Sequence, residues 1–361
     1  MPTANPSNPN YRAAFPAELR AANSQIHLNL AHVTAAAYAG DTATSAWAHT
    51  QAKTGRAVVV WWFNDGKPGH ANQSFGLVKA LRRQYELEVH ELAPQSTVNA
   101  LASLATGVYA DGAALPRPDL IIGAGHGTHL SMLAARRAFG GRIVVLMKPS
   151  LPLSWFDVCI IPEHDQAARR DNVITTQGVL NAIEPLASKN PSKGLILLGG
   201  VSKHYRWRDG SIMRQIEQII AQTPHIRWTI SDSRRTPESL QRRLRQLDAP
   251  NIEFIPHQLT PHGWVPQQMR DAAVIWTSVD SVSMVYEGLT SGADVGVLQL
   301  EPRANSRIVR GLRQLERLGR VVTFTQWQQS KDLSQHAEPL NEAQRCAQQI
   351  ASRYPVVARP V

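Results

Sequence analysis

Five short segments concentrate the residue types that move protons or hold phosphate. The first is Asn64–Ser74 (NDGKPGHANQS), which crowds Asp65, Lys67, His70 and Gln73 into one turn. Asp65 and His70 can each exchange a proton near neutral pH when their surroundings tune them, so either is a candidate general base. The glycines permit a tight turn, and free amides at a helix start favour an anion. The bland alternative is that Asn64 and Asp65 cap a helix and His70 is an ordinary first-turn residue. The second segment, Gly123–His129 (GAGHGTH), carries His126 and could approach a phosphate or line a cleft, or simply let a helix pack closely.

Three further segments follow in the second half. Gly199–Arg208 (GGVSKHYRWR) places Gly200, Ser202 and Lys203 as a diphosphate would want them: glycines, then a hydroxyl, then cations. Ser231–Glu238 (SDSRRTPE) offers Arg234 and Arg235 as a phosphate grip, since guanidinium forks match phosphate oxygens; Thr236, Pro237 and Glu238 alone read as a helix start. Thr277–Gly288 (TSVDSVSMVYEG) holds Ser281, Ser283 and Glu287. Ser283 and Glu287 are four apart, so on a helix they share a face, which we expect to point into a cleft. A carboxylate there can hold two vicinal hydroxyls of a ribose.

Missing signals narrow the chemistry. The first segment is neither a Walker A loop nor G-x-G-x-x-G, no D-x-D triplet occurs, and no G-x-S-x-G elbow is present. His257 and His262 lack zinc spacing and partners, and Cys159 and Cys346 are the only cysteines, so no metal cage or disulfide framework organises the chain.

These segments need elements to position them. Ala57–Phe63 (AVVVWWF) reads as a strand buried on both faces, followed by a helix to about Gln84, and Tyr85–Leu92 alternates as a second strand. After a looser stretch, Asp119–Gly125 is a strand leading into a helix over Thr128–Phe139, and Arg142–Met147 and Asp157–Pro162 are further strands. Thr175–Ser192, ending in SKNPSK, reads as a linker. The pattern then restarts with strands at Gly194–Leu198, Ile226–Ser231, Ile252–Pro256, Val274–Thr277, Val295–Leu300 and Val321–Thr325, with helices between them. Alternating strands and helices predict an α/β protein of two Rossmann-like, doubly wound domains facing a cleft. In such sheets ligands sit beyond the carboxyl ends of the strands, where all five segments fall. The expected division is a low-complexity, disordered extension over 1–55 with a short helix around Ala17 to His32, a first domain over 56–180, a second over 193–330, and a C-terminal helix in 331–361 that packs back on the first.

The chain has 361 residues and a formal charge of +10, carried by 30 Arg against 8 Lys. Such a surface suits nucleic acid, an anionic membrane face or a phosphorylated small molecule. The basic residues are dispersed and no zinc-finger spacing or aromatic stripe accompanies them, which argues against nucleic acid. No apolar run reaches bilayer length, and the N-terminus shows neither cationic start nor apolar stretch, so a cytoplasmic protein is expected.

Taken in order, Asp65–Gln73 (D-G-K-x-G-H-x-x-Q), Gly199–Lys203 (G-G-x-S-K), Ser233–Pro237 (S-R-R-T-P) and Asp280–Glu287 (D-S-x-S-M-x-x-E) resemble the hallmarks of bacterial proteins grouped with the plant mitochondrial-fission ELM factor, over about residues 57–330. His126-Gly127 departs from the Gly-Arg pair expected there. The resemblance implies a GT-B-like glycosyltransferase that needs no metal or cofactor. Its second domain would hold a nucleotide-sugar, with Glu287 on the ribose and Ser202, Lys203, Ser281 and Ser283 near the diphosphate. The first domain would hold the acceptor, an envelope glycan or lipid-linked sugar at the inner membrane surface, and the base. The alternatives are a nucleotide-sugar epimerase of the same fold or a non-catalytic peripheral membrane or scaffold protein.

Overall fold

The computed structural model describes residues 57–186, 188–261, 263–334 and 340–354; the expected extension and its helix lie outside them. The first sheet joins β1 (Val58–Phe63), β2 (Leu87–Leu92), β3 (Leu120–Ala124), β4 (Arg142–Leu146), β5 (Val158–Pro162) and β6 (Val173–Thr176), all parallel, in the order β2-β1-β3-β4-β5-β6. The second joins β7 (Asn190–Leu197), β9 (Arg227–Ser231), β10 (Ile252–Ile255), β11 (Ala272–Ser278), β12 (Asp294–Leu298) and β14 (Val322–Thr323), again parallel, in the order β10-β9-β7-β11-β12-β14. A short antiparallel ribbon pairs β8 (Tyr205–Arg206) with β13 (Glu301–Pro302).

Both faces of each sheet are covered at its centre, which is why central strands such as β1, β3 and β5 read as unbroken apolar runs while the edge strand β2 alternates. Along β1, Val58 and Val60 face α1 (Pro68–Leu81) and the last helix, α10 (Glu342–Arg353), whose Cys346, Ala347 and Ile350 are fully buried in the same cluster. Val59, Trp61 and Phe63 face the other way, toward α3 (His129–Phe139). The second sheet is flanked by α4 (Asp209–Gln222) and α5 (Glu238–Arg245) on one face. On the other lie α6 (Trp264–Asp271) and α7 (Val282–Ser291).

Strand order locates the crevices. In the first sheet the chain leaves β1 for β2 and then crosses to β3 on its other side; in the second it leaves β7 for β9 and β10 and then crosses to β11. Loops after β1 and β3, and after β7 and β11, therefore diverge at a topological switch point in each lobe, where doubly wound sheets bind ligands.

Several elements differ from expectation. The looser stretch after β2 contains α2 (Thr97–Thr106), started by Ser96, whose Oγ accepts from the Asn99 amide, and stopped by Gly107 at φ 73°. It carries no charge and leaves Val98 and Leu101 exposed, so it lacks the one-sided pattern that reveals a helix. Strand β6 starts before the expected linker and runs into its first two residues, and NPSK opens β7 rather than closing the linker, with Asn190 paired to Ala272. Between them, Leu180, Asn181 and Ile183 are buried rather than solvated. The run Val321–Thr325 is strand only at Val322–Thr323. Thr323 and Gln326 form a capping box that turns the chain into α9 (Phe324–Ser330). The remaining helix, α8 (Arg307–Arg317), is the expected one.

Candidate functional site

In the first lobe the turn after β1 is built by its own side chains. Asn64 Oδ1 accepts from the Gly66 amide and Asp65 Oδ1 from the Lys67 amide, two local turns that curl the loop before Pro68 starts α1. Neither side chain caps the helix. Asp65 is almost wholly buried, and its Oδ2 accepts from Lys67 Nζ at 3.0 Å and lies 2.9 Å from His70 Nδ1. Burial alone would push this carboxyl up, but the hydrogen bonds from Lys67, His70 and the Lys67 amide outweigh it and hold Asp65 below its ordinary value. Asp65 is thus a firmly ionised acceptor whose lone pairs are engaged by these donors, a poor base. What it does is hold the proton on His70 Nδ1, leaving Nε2, which has no partner among the described residues, as the basic nitrogen.

The loop after β3 backs this pair. Gly125 sits at φ 82° with the His70 ring against its Cα, where any Cβ would collide with the imidazole, and Gly127 lies beside Asp65. Gly125 is thus required for close packing on His70, while Gly123 lets Met132 and Thr128 of the following helix start approach the strand. His126 is exposed on this loop, whereas His129 is buried, its ring pushed down to about 4 by burial with His126 nearby adding to it, so it stays neutral. Lys67 is tied to Asp65, and Gln73 is buried, its Nε2 donating to the Gly69 carbonyl beside Met147 Sδ. Met147 itself stands at φ 70° at the end of β4, a strained conformation for a side chain of its size.

In the second lobe one carboxylate organises three of the predicted segments. The fully buried Asp280 accepts from the Gly200 amide (2.9 Å), Ser278 Oγ (2.7 Å) and Arg235 Nη1 (2.8 Å). Ser278 Oγ accepts from the Gly199 amide at 2.8 Å, while Ser233 and Thr236 hydroxyls donate to the Gly199 carbonyl. Two expectations change. Both glycine amides are engaged by side chains, so in this structure neither is free for a diphosphate; a Cβ on Gly200 would run into the Arg235 carbonyl. Arg235 is held by Asp280, and Thr236 ties its loop to Gly199 instead of capping α5, whose N-cap is Pro237. Ser202 Oγ accepts from the amides of His204 and Tyr205, bracing the turn that presents Lys203. Lys203 and Arg234 are exposed, with no hydrogen-bond or ion-pair partner among the described residues. Ser281 is the buried N-cap of α7 and Ser283 its exposed second residue; the helix's first amides have no intrahelical partner.

The two lobes meet at this level. Asn72, two residues past His70 on α1, donates Nδ2 to Glu287 Oε1 of α7 at 2.8 Å. Asn72, Gly76 and Lys79 form one stripe of α1, and Arg83 follows just past its C-cap. Below Asn72, Gly76 abuts the Asn181 carbonyl, and Lys79 and Arg83 pair with Glu184 at 2.8 and 2.7 Å. Asn181 Nδ2 also donates to Thr290 Oγ1 of α7. Gly199–Lys203 and Ser281–Glu287 are therefore neighbours through Asp280, and the Asn72 bond sets α1, which carries His70 two residues earlier, against α7.

Glu287 keeps a window to solvent but is otherwise enclosed, and burial pushes its carboxyl up to about 7, with the Asn72 hydrogen bond pulling partly the other way. In the unfolded chain it sits near 4.5, so the folded form prefers the proton. That contribution is complete below pH 4.5 and is lost as pH rises through about 7. Glu287→Gln should consequently be more stable than the parent by about 1–3 kcal/mol at alkaline pH, with no gain well below the unfolded value. Urea midpoints at both pH values check this; an equal difference at both would contradict it.

Asp280 and Asn72 are the residues that the sequence reading did not single out. Asp280 stood inside a recognised segment, but an aspartate next to serines looks the same whether it binds ligand or its own loops. Asn72 faces Glu287 only because α1 and α7 are brought together. Among the described residues no group of three His, Cys, Asp or Glu side chains could hold a metal ion.

A family model described as mitochondrial fission ELM1 matches residues 68–354. No curated protein matches the chain. Three solved structures are similar. A Listeria monocytogenes protein assigned as a UDP-N-acetylglucosamine 2-epimerase is 14% identical, at TM-score 0.56 over 84% of this chain and 99% of its own. UDP-GlcNAc 2-epimerase from Methanocaldococcus jannaschii is 11% identical, at TM-score 0.52 over 82% and 100%. The Neisseria meningitidis enzyme bound to UDP-GlcNAc is 12% identical, at TM-score 0.51 over 82% and 99%. At these identities the likeness establishes the fold, two Rossmann-like lobes of the GT-B kind.

Proposed function

The chain belongs to the mitochondrial fission ELM1 family, and from that premise and the crevice we propose that it is a glycosyltransferase moving a sugar from a nucleotide-sugar to a hydroxyl of a cell-envelope acceptor, without a metal ion or cofactor. The observation that carries this reading is the Asn72–Glu287 hydrogen bond, which closes the two switch points on one another. It puts an enclosed carboxylate opposite an oriented Asp–His pair. The similar folds named for UDP-GlcNAc support a nucleotide-sugar as the donor.

In this reading Glu287 exchanges the Asn72 amide for the ribose hydroxyls. The first amides of α7, with Ser281 and Ser283, face the diphosphate, and Lys203 and Arg234 offset its charge as it leaves. His70 Nε2 takes the proton from the acceptor hydroxyl as its oxygen bonds to the anomeric carbon and the bond to the diphosphate breaks. Asp65 stabilises the imidazolium that results. The acceptor side is lined by Gln73, with His126 on the loop behind His70. Among the described residues no helix is long and apolar enough to cross a membrane, which suits a cytoplasmic enzyme working at the inner membrane surface. The fission label describes a phenotype and carries no chemistry.

Product analysis separates the readings. The chain, incubated with UDP-, GDP- and ADP-sugars and followed by proton NMR, should release nucleoside diphosphate only when an acceptor extract is added. Inversion at a sugar carbon without acceptor would instead mark an epimerase. No change with any donor would overturn the proposal and favour a scaffold.

A further inference from the structure

The surface around the β8–β13 ribbon carries a feature that crevice chemistry does not use. Arg206 of the first strand and Arg208, two residues past it, both reach Glu301 of the second, at 3.7 and 3.6 Å. Arg303, the residue after that strand, donates its amide to the His204 carbonyl and its Nε to the Tyr205 carbonyl. Arg310 and Arg313 lie one turn apart on α8, and their guanidinium groups rest on the Asn305 carbonyl and Asn305 Oδ1. All five arginines are exposed, and Glu301 is the only carboxylate among the described residues that pairs with any of them. The opposite face of α8, with Val309, Leu312 and Leu315, is buried in the lobe.

From this arrangement we infer that the β8–β13 ribbon and the outer face of α8 form a docking surface for an anionic phospholipid bilayer. The complement must be extended. No guanidinium of the five is sunk in a pocket that could desolvate a single phosphate, so many weak contacts to a plane of charge suit the patch better than one strong one. A single-stranded nucleic acid would look for rings to stack on. Trp207, the ring between Arg206 and Arg208, is instead packed against the core of the second lobe, with Nε1 on Asp209. This inference stands apart from the reaction proposed for the crevice, and none of the five arginines belongs to it.

The test is co-sedimentation with vesicles of phosphatidylcholine, with and without an added third of phosphatidylglycerol. The parent chain should bind only the anionic vesicles, and less as salt rises. The triple variant Arg206→Gln, Arg310→Gln, Arg313→Gln should lose partitioning on the order of 100-fold, at about fivefold per residue. The corresponding triple lysine variant should keep most of it. Arg117→Gln, Arg137→Gln, Arg169→Gln, which removes the same charge from exposed sites of the first lobe, should change binding little. Equal losses in the two glutamine triples would reduce the effect to net charge and overturn the inference. So would failure of the parent to bind anionic vesicles, or binding of an RNA oligomer through these residues without vesicle binding. If the triple variant does not fold, Arg310→Gln alone should show the fivefold step. The nucleotide-sugar thermal shift should be unchanged in every variant, which keeps this outcome separate from the fate of the crevice proposal.

Discussion

His70→Ala should lower turnover of the nucleotide-sugar by about 10²–10⁴-fold while leaving donor affinity nearly unchanged. The expectation follows from the division of labour between lobes. The donor is gripped from the second lobe, whereas His70 sits at the first switch point with Nδ1 held by Asp65 and Nε2 open. Removing the ring deletes the proton acceptor but touches nothing assigned to ribose or diphosphate. Asp65→Asn should cost a comparable factor for a different reason. An asparagine can offer its NH₂ to Nδ1, favouring the tautomer with the proton on Nε2, the wrong nitrogen for a base. The two losses should not add, because both remove one function. Asp65→Asn should also destabilise the fold at neutral pH. The carboxyl is held low in the folded state, so its contribution is present above the ordinary aspartate range and is lost as pH falls below it. Steady-state kinetics of the single and double variants check the first part. A drop in affinity with kcat unchanged would mean that His70 binds donor rather than moving a proton.

Asp280→Ala should be the most damaging change in the second lobe, costing about 2–4 kcal/mol of stability. The carboxylate is fully buried and collects the Gly200 amide, Ser278 and Arg235. Without it the Gly200 amide and the Ser278 hydroxyl are left in the interior with a donor to place and nowhere to place it, while Arg235, half in solvent, can rehydrate. The loop carrying Ser202 and Lys203 would lose its anchor, so donor affinity should fall as well. Lys203→Ala offers the contrast. That side chain is exposed and makes no hydrogen bond or ion pair among the described residues, so stability should hold while donor affinity falls. Urea unfolding of both variants, with donor titration, tells the roles apart. If Asp280→Ala were as stable as the parent, the loops would be held by something other than this carboxylate.

Much of the architecture was readable because it rests on local patterns. AVVVWWF alternates nothing and so had to be buried on both faces, and strands followed by glycine-bearing turns and helices leave few alternatives to a doubly wound sheet. Elements whose cause is not periodic were missed. Helix α2 has apolar residues on both its exposed and its packed side, and β6 is only four residues long, half of them threonine. The short β14 ends where a threonine–glutamine box overrides β-branched residues. The candidate site was legible as a set of segments but not as a division of roles. Asp65 and His70 are equal candidates in a string, and only the geometry makes one the orienting acceptor and the other the base. Gly199 and Gly200 look like phosphate-binding glycines until their amides are found on Ser278 and Asp280. Glu287 was visible through its spacing from Ser283. Its partner Asn72 lies 215 positions away and is brought to it only by the meeting of two lobes.

The central claim is that the crevice closed by Asn72 and Glu287 is a nucleotide-sugar site, and titration calorimetry tests it most directly. A panel of UDP-, GDP- and ADP-sugars titrated into the parent chain should yield one that binds, and Glu287→Ala should abolish that heat while Arg117→Gln leaves it intact. Unchanged affinity in Glu287→Ala, or no binding of any nucleotide-sugar by the parent, would contradict the account.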